Sequence, residues 1–197
     1  MTATTTWTIL DGAHAALRAT AAGLTTADLD RPTPCTRWTV AQVLQHAAGD
    51  QLAYAAAITG RGGPAEDPFA PSGVLAGRPA ELVEPALAAS AAAFATVGAS
   101  GTAPTPLPQG TLPAATAAGA AALDAAVHAW DIAVATGRPA PLDDDLAAHL
   151  LPSARAIVEP LRQYGAYAPA LEPDGHDGAA AELLRYLGRD PHWTAAS

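Results

Sequence analysis

From Thr111 to Gly137 the chain runs through an alanine-dominated stretch broken by a single proline, Pro113, which sits where a first helical turn tolerates one. No other feature constrains the fold as strongly. Alanine is the best helix former, and its side chain ends at Cβ, so helices built from it approach closely. Strand-type residues are thin: there are two Phe and four Tyr, and Val and Ile are scattered rather than alternating. The expected fold class is all-α. With 197 residues, the length suits one domain over 1–197 that can bury a core without disulfides.

The remaining helices follow from start and stop signals. The first is expected from about Trp7 to Ala22, with Gly23 as its stop. Arg31-Pro32-Thr33-Pro34-Cys35 then enforces an extended linker. Thr39 with Gln42 three residues later forms a capping box that opens a second helix, ending at Gly60. Residues 60–78 form a long Gly- and Pro-rich loop. A third helix is expected from Pro79 to about Val97, and a second loop from Gly98 to Gly110. The alanine-rich helix is expected to start near Thr111 and stop at Gly137. A fifth opens with Asp143-Asp144-Asp145, acids favoured by the helix dipole, and is expected to be interrupted at Pro152 and Pro160. A short tail helix, roughly 178–187, ends at Gly188.

Charge and cysteine usage exclude several functions. The ten basic residues are all Arg, and the net charge is −9, a surface that repels phosphate backbones, so no nucleic-acid partner is expected. No apolar run is long enough to span a membrane, no basic amphipathic stretch suggests attachment to one, and Met1–Thr6 lacks the marks of a signal peptide. A single cysteine, Cys35, rules out an intramolecular disulfide and fits a reducing cytoplasm. The Ala-rich helices would suit a homodimer interface.

The chemistry concentrates on the alanine-rich helix. Asp124 and His128 are four residues apart, hence on one face, with Ala117, Ala120, Ala121 and Val127 as apolar neighbours. A carboxylate and an imidazole on a buried stripe need partners. One solution is a hydrogen-bonded ion pair between the two. Another is a divalent cation, since helix-borne carboxylate and His ligands facing a bundle core build such sites. His46, on the second helix, is the third candidate ligand, although a lone His on an apolar helix is more often a core residue with a local hydrogen bond. Two imidazoles and one carboxylate would leave a coordination position open, as in catalytic zinc sites, and would also suit Fe2+ or Ni2+. Asp50, four after His46, and Asp131, three after His128, stand as ligands, outer partners or surface acids. Asp131 is favoured as the outer partner, because metal-bound imidazoles usually donate their other ring nitrogen. Cys35 lacks a helix N-terminus directly after it and is a weak candidate nucleophile. His14, His149, His176 and His192 lie in contexts that look exposed or mixed.

Three segments in order carry a resemblance. Pro32-Thr33-Pro34-Cys35-Thr36-Arg37-Trp38-Thr39-Val40 followed by Leu44-Gln45-His46, then Val127-His128-Ala129-Trp130-Asp131-Ile132-Ala133 with Ala135-Thr136-Gly137-Arg138, then Leu187-Gly188-Arg189-Asp190-Pro191 resemble the actinobacterial branch of the DinB/YfiT-like superfamily. That branch includes the mycothiol-dependent maleylpyruvate isomerases. The resemblance implies a four-helix bundle, here with a short additional C-terminal helix, and a metal triad. Carried over by position, the triad is His46, Asp124 and His128, the acid being Asp where the isomerases resemble Glu-x-x-x-His. It implies a divalent metal, with zinc foremost, mycothiol as cosubstrate, and a thiol transferase or isomerase acting on a small electrophilic metabolite. The separate C-terminal domain of some isomerases has no counterpart in these 197 residues, so the resemblance implies the branch rather than that one reaction. The alternative is a metal-binding helical bundle without thiol chemistry, in a biosynthetic or stress-related role.

Overall fold

The computed structural model of the protein describes residues 7–176 and 178–195, and Met1–Thr6, relevant to targeting, lies outside the described residues. The α-helices among the described residues are α1 (Thr8–Ala22), α2 (Val40–Thr59), α3 (Pro79–Phe94), α4 (Ala114–Ala135), α5 (Asp144–Gln163) and α6 (Ala179–Tyr186). α4 packs on α1 and α2, and α3 closes the ring against the same two helices, so α1 to α4 form the bundle. α5 lies on α4, and α6 on α5. The all-α four-helix bundle read from the sequence is present, and its C-terminal addition comprises α5 as well as the short α6. One hydrophobic cluster draws residues from all six helices. No helix is long and apolar enough to cross a membrane.

Local chemistry explains the element ends. Thr39 Oγ1 accepts from the Gln42 backbone N–H at 3.4 Å, and Gln42 Oε1 accepts from the Thr39 N–H at 3.0 Å, which satisfies both donors at the start of α2. α2 ends where Gly60 turns left-handed, at φ 70°. Asp143 caps α5 by accepting from Leu146 N–H at 2.8 Å.

Several boundaries are corrected. Residues Thr111–Pro113 are extended, not helical: as β2 they pair antiparallel with β1 (Thr102–Pro104), Thr102 facing Pro113. The expected loop 98–110 is therefore half of a hairpin, and α4 starts at Ala114 with Pro113 as the residue before it. α3 stops at Phe94, short of Val97. α5 continues through Pro152 and Pro160. Each proline removes one helical hydrogen bond. Both prolines and the residues whose carbonyls they orphan, Ala148 and Ala156, lie on the exposed side, where water replaces the missing donor.

His14, taken from its context as exposed or mixed, is buried. Its Nε2 donates to Gln51 Oε1 at 2.9 Å, and Gln51 Nε2 donates to Ala121 O at 2.9 Å, a polar strut from α1 through α2 to α4. Burial lowers the His14 pKa from the usual 6.5, and the Gln51 hydrogen bond only partly offsets it. The native state thus binds fewer protons than the unfolded chain just below pH 6.5. Stability from this group is complete above that pH and lost as pH falls towards the folded pKa, with a slope of at most about 1.4 kcal/mol per pH unit. His14→Gln removes the term. The stability advantage of wild type over this variant, from urea midpoints, is expected to shrink steadily between about pH 7 and about pH 5. An advantage independent of pH would show that His14 is not held neutral.

Candidate metal centre

α2 and α4 pack directly, and their facing turns bring the candidate residues together. His46 comes from the second turn of α2, and Asp124 and His128 from the middle of α4. Asp124 Oδ1 stands 3.5 Å from His46 Nε2 and 3.4 Å from His128 Nε2. The two imidazole rings are 4.8 Å apart and nearly perpendicular. Asp50 is at the edge of this group, its Oδ2 3.8 Å from His46 Nε2.

Both imidazoles are oriented by their other nitrogen. His46 Nδ1 donates to the Pro68 carbonyl at 2.9 Å. His128 Nδ1 donates to Asp131 Oδ2 at 2.9 Å. A carbonyl and a carboxylate only accept, so each Nδ1 carries a proton and each Nε2 is turned to Asp124. The Pro68 carbonyl reaches His46 because Gly49 has no side chain: a Cβ there would lie 2.9 Å from Pro68 Cγ. Gln42 and Gln45 fasten the same loop by donating to the carbonyls of Pro71 and Val74.

The donor set fits a divalent cation. Ligand atoms held about 2.0–2.1 Å from a tetrahedral metal are themselves about 3.3–3.4 Å apart, close to the separations here. Asp124 Oδ2 is buried without a hydrogen-bond partner. Charge argues the same way. Burial works to lower the His128 pKa, yet Asp124 beside it, with hydrogen bonds to Asp124 and Asp131, holds it well above the histidine range. Burial works to raise Asp124, but His128 and His46 keep its carboxyl well below the usual range. The cluster therefore retains a positive charge next to Asp124, a proton that a cation would displace. Burial and the Asp124 carboxylate push Asp50 up to about 7.

The cluster forms part of the floor of a cavity of about 720 Å³. Trp38 and Phe69 cover His46, their ring centres 4.6 and 5.3 Å from its own. Phe69 belongs to the loop 60–78, and Pro106 to Pro108 from the segment 98–110 supply another wall. A third wall was not legible in advance: Tyr164, Tyr167 and Arg189, from the chain after α5 and after α6.

Arg189 is the residue that sequence reasoning missed, and Cys35, weighed there only as a nucleophile, is one of its partners. Arg189 donates from Nε to Asp131 Oδ1 at 2.9 Å and from Nη2 to Asp131 Oδ2 at 2.8 Å, a two-pronged pair in which Asp131 has no exposed surface. Burial opposes both charges, but each partner outweighs it, so Asp131 is held well below the carboxylate range and Arg189 well above its usual value. Arg189 Nη2 also donates to Cys35 Sγ at 3.2 Å, and Cys35 Sγ lies 3.5 Å from Asp131 Oδ2. Gly188, at φ 79°, makes the turn after α6 that aims Arg189 inward, and a Cβ there would meet Ala168 Cβ at 2.7 Å. The signals were present in the Leu187-Gly188-Arg189 motif and the Pro34-Cys35 turn, but their partners lie far away in sequence.

A helical bundle with a carboxylate between two oriented imidazoles, at the foot of an aromatic-walled cavity, defines a class of candidate metal-centre proteins. Residues 10–133 match the mycothiol maleylpyruvate isomerase N-terminal domain model, and the chain belongs to that family. Two uncharacterized proteins from two strains of Mycobacterium tuberculosis are each 37% identical to it over 134 residues, covering 67% of this chain and 68% of theirs. No solved structure matches it.

Proposed function

We propose that this protein is a metal-dependent S-transferase or isomerase that uses a mycothiol-type thiol on a small electrophilic metabolite. In this reading 1–197 is one cytoplasmic domain, and His46, Asp124 and His128 hold a divalent ion, zinc foremost. The supporting observation is the convergence of two Nε2 atoms and Asp124 Oδ1 on one point of an open cavity, with both Nδ1 atoms committed elsewhere. When bound, such an ion supplies Lewis acidity that lowers the pKa of a thiol at the vacant position. The chain supplies the rest. Asp131 and the Pro68 carbonyl fix the imidazoles. Asp50 Oδ2, 3.8 Å from His46 Nε2, would be suited to receive the thiol proton. Trp38, Phe69, Tyr164 and Tyr167 would wall the electrophile, and a cavity of about 720 Å³ lies within the usual range for a small-molecule site.

Titration of the cobalt-loaded protein with mycothiol tests the reading. A saturable sulfur-to-cobalt charge-transfer band in the near ultraviolet is expected. A loaded protein whose spectrum ignores the thiol would instead belong to the metal-binding class without thiol chemistry.

A further inference from the structure

His128 serves two overlapping groups of metal-ligating atoms. On its Nε2 side are His46 and Asp124, and on its Nδ1 side are Cys35 and Asp131. In the second group, His128 Nδ1 is 2.9 Å and Cys35 Sγ 3.5 Å from Asp131 Oδ2. A thiol, a carboxylate and an imidazole at such separations form a donor set that a thiophilic divalent ion would take. Yet a cation is already there. Arg189 Nη2 lies 2.8 Å from Asp131 Oδ2 and 3.2 Å from Cys35 Sγ, and the guanidinium is only 8% exposed.

We propose that Arg189 is a built-in cation occupying this second ligand set, and that it thereby directs a divalent ion to the opposite nitrogen of the same imidazole. The proposal rests on the metal reading given above. A neutral imidazole has one lone pair for a metal, so the two sets exclude each other. With Arg189 in place, Asp131 is held as an anionic acceptor and keeps the His128 proton on Nδ1, which leaves Nε2 for the His46 and Asp124 side. Without it, the Asp131 anion beside Cys35 and Nδ1 loses its counterion. An ion entering there takes Cys35 as thiolate, the displaced sulfur proton passing to buffer, and moves the imidazole proton to Nε2. Arg189 is thus a positioning residue. It comes from beyond residues 10–133, so the part of the chain outside the family match selects which site forms.

The test uses Co2+ alone on the full chain, with no added thiol. Wild type, and Cys35→Ser equally, are expected to bind one ion with no sulfur-to-cobalt band. Arg189→Met should gain that band, and Arg189→Met with Cys35→Ser should lose it. Arg189→Lys, which keeps a positive charge, should restore the wild-type spectrum, a rescue that loss of packing alone would not produce. If the Met variant does not fold by circular dichroism, Arg189→Gln, which keeps a donor for Asp131 without the charge, is read in its place with the same expectations. A neutral variant with the wild-type spectrum overturns the proposal, as does a wild-type spectrum altered by Cys35→Ser. Wild type that takes up no cobalt overturns the metal reading itself, whereas a loaded wild type with an unresponsive neutral variant removes only the role of Arg189.

Discussion

His128→Ala is expected to fold and to lose the divalent ion proposed for the bundle. The substitution deletes the Nε2 that stands 3.4 Å from Asp124 Oδ1 and leaves one imidazole and one carboxylate, too few to hold an ion in the bundle. Apparent binding free energies of about 10–16 kcal/mol for four-ligand zinc peptides amount to roughly 2.5–4 kcal/mol per ligand, so affinity should fall on the order of a hundred- to a thousand-fold. The fold should survive. Asp131 keeps both contacts to Arg189 when His128 is gone, so no buried charge is orphaned on that side. The truncation itself should cost on the order of 1–3 kcal/mol. Metal-to-protein ratio after dialysis against a chelator, with circular dichroism as the check on folding, reads both effects. Full occupancy in the variant would show that the ion is held elsewhere.

This site was legible in sequence to the extent that its geometry is local. Asp124 and His128 are one helical turn apart, and any helix through 111–136 puts them on one face. The capping box at Thr39 likewise fixed where α2 begins, and so which way His46 points along it. What could not be read is long-range. Arg189 meets Asp131 across 58 residues and Cys35 across 154. Nothing in the local pattern around any of the three announces the others. The same limit explains α4. A single buried face was expected of it, but nearly the whole helix is buried, because α5 covers the side that the bundle leaves open. A helix that is apolar all round signals such burial without saying by what. His14 was misplaced for the converse reason: its burial depends on a partner, Gln51, on another helix. The prolines of α5 misled because helix breaking is a statement about unsatisfied hydrogen bonds, and water satisfies them on an exposed face. The three-residue strands are too short to show alternation, and a proline at the last position of each hides them.

Asp131→Asn should produce the larger loss of stability and a clear loss of metal affinity together. The carboxylate meets four donors: Arg189 Nε at Oδ1, and Arg189 Nη2, His128 Nδ1 and the Cys35 thiol at Oδ2. An amide has one oxygen. Whichever way it is turned, its NH2 group faces a donor, and the Arg189 guanidinium keeps a buried charge without a counterion. Breaking a buried pair from one side typically costs about 3–5 kcal/mol, because the remaining charge is uncompensated. His128 meanwhile loses the anion that fixes its Nδ1 proton, and loss of such an outer partner typically lowers metal affinity about 10- to 100-fold. The two effects separate in a double variant. Asp131→Asn with Arg189→Met removes the orphaned charge, so the urea midpoint should recover part of the loss, and the two substitutions should be strongly non-additive. Metal affinity should not recover, because His128 still lacks its anionic acceptor. Recovery of both would mean that Asp131 acts on the site only through stability. An Asp131→Asn protein as stable as wild type would mean that the buried pair contributes nothing, and the orientation of His128 would then rest on the packing of α4 alone.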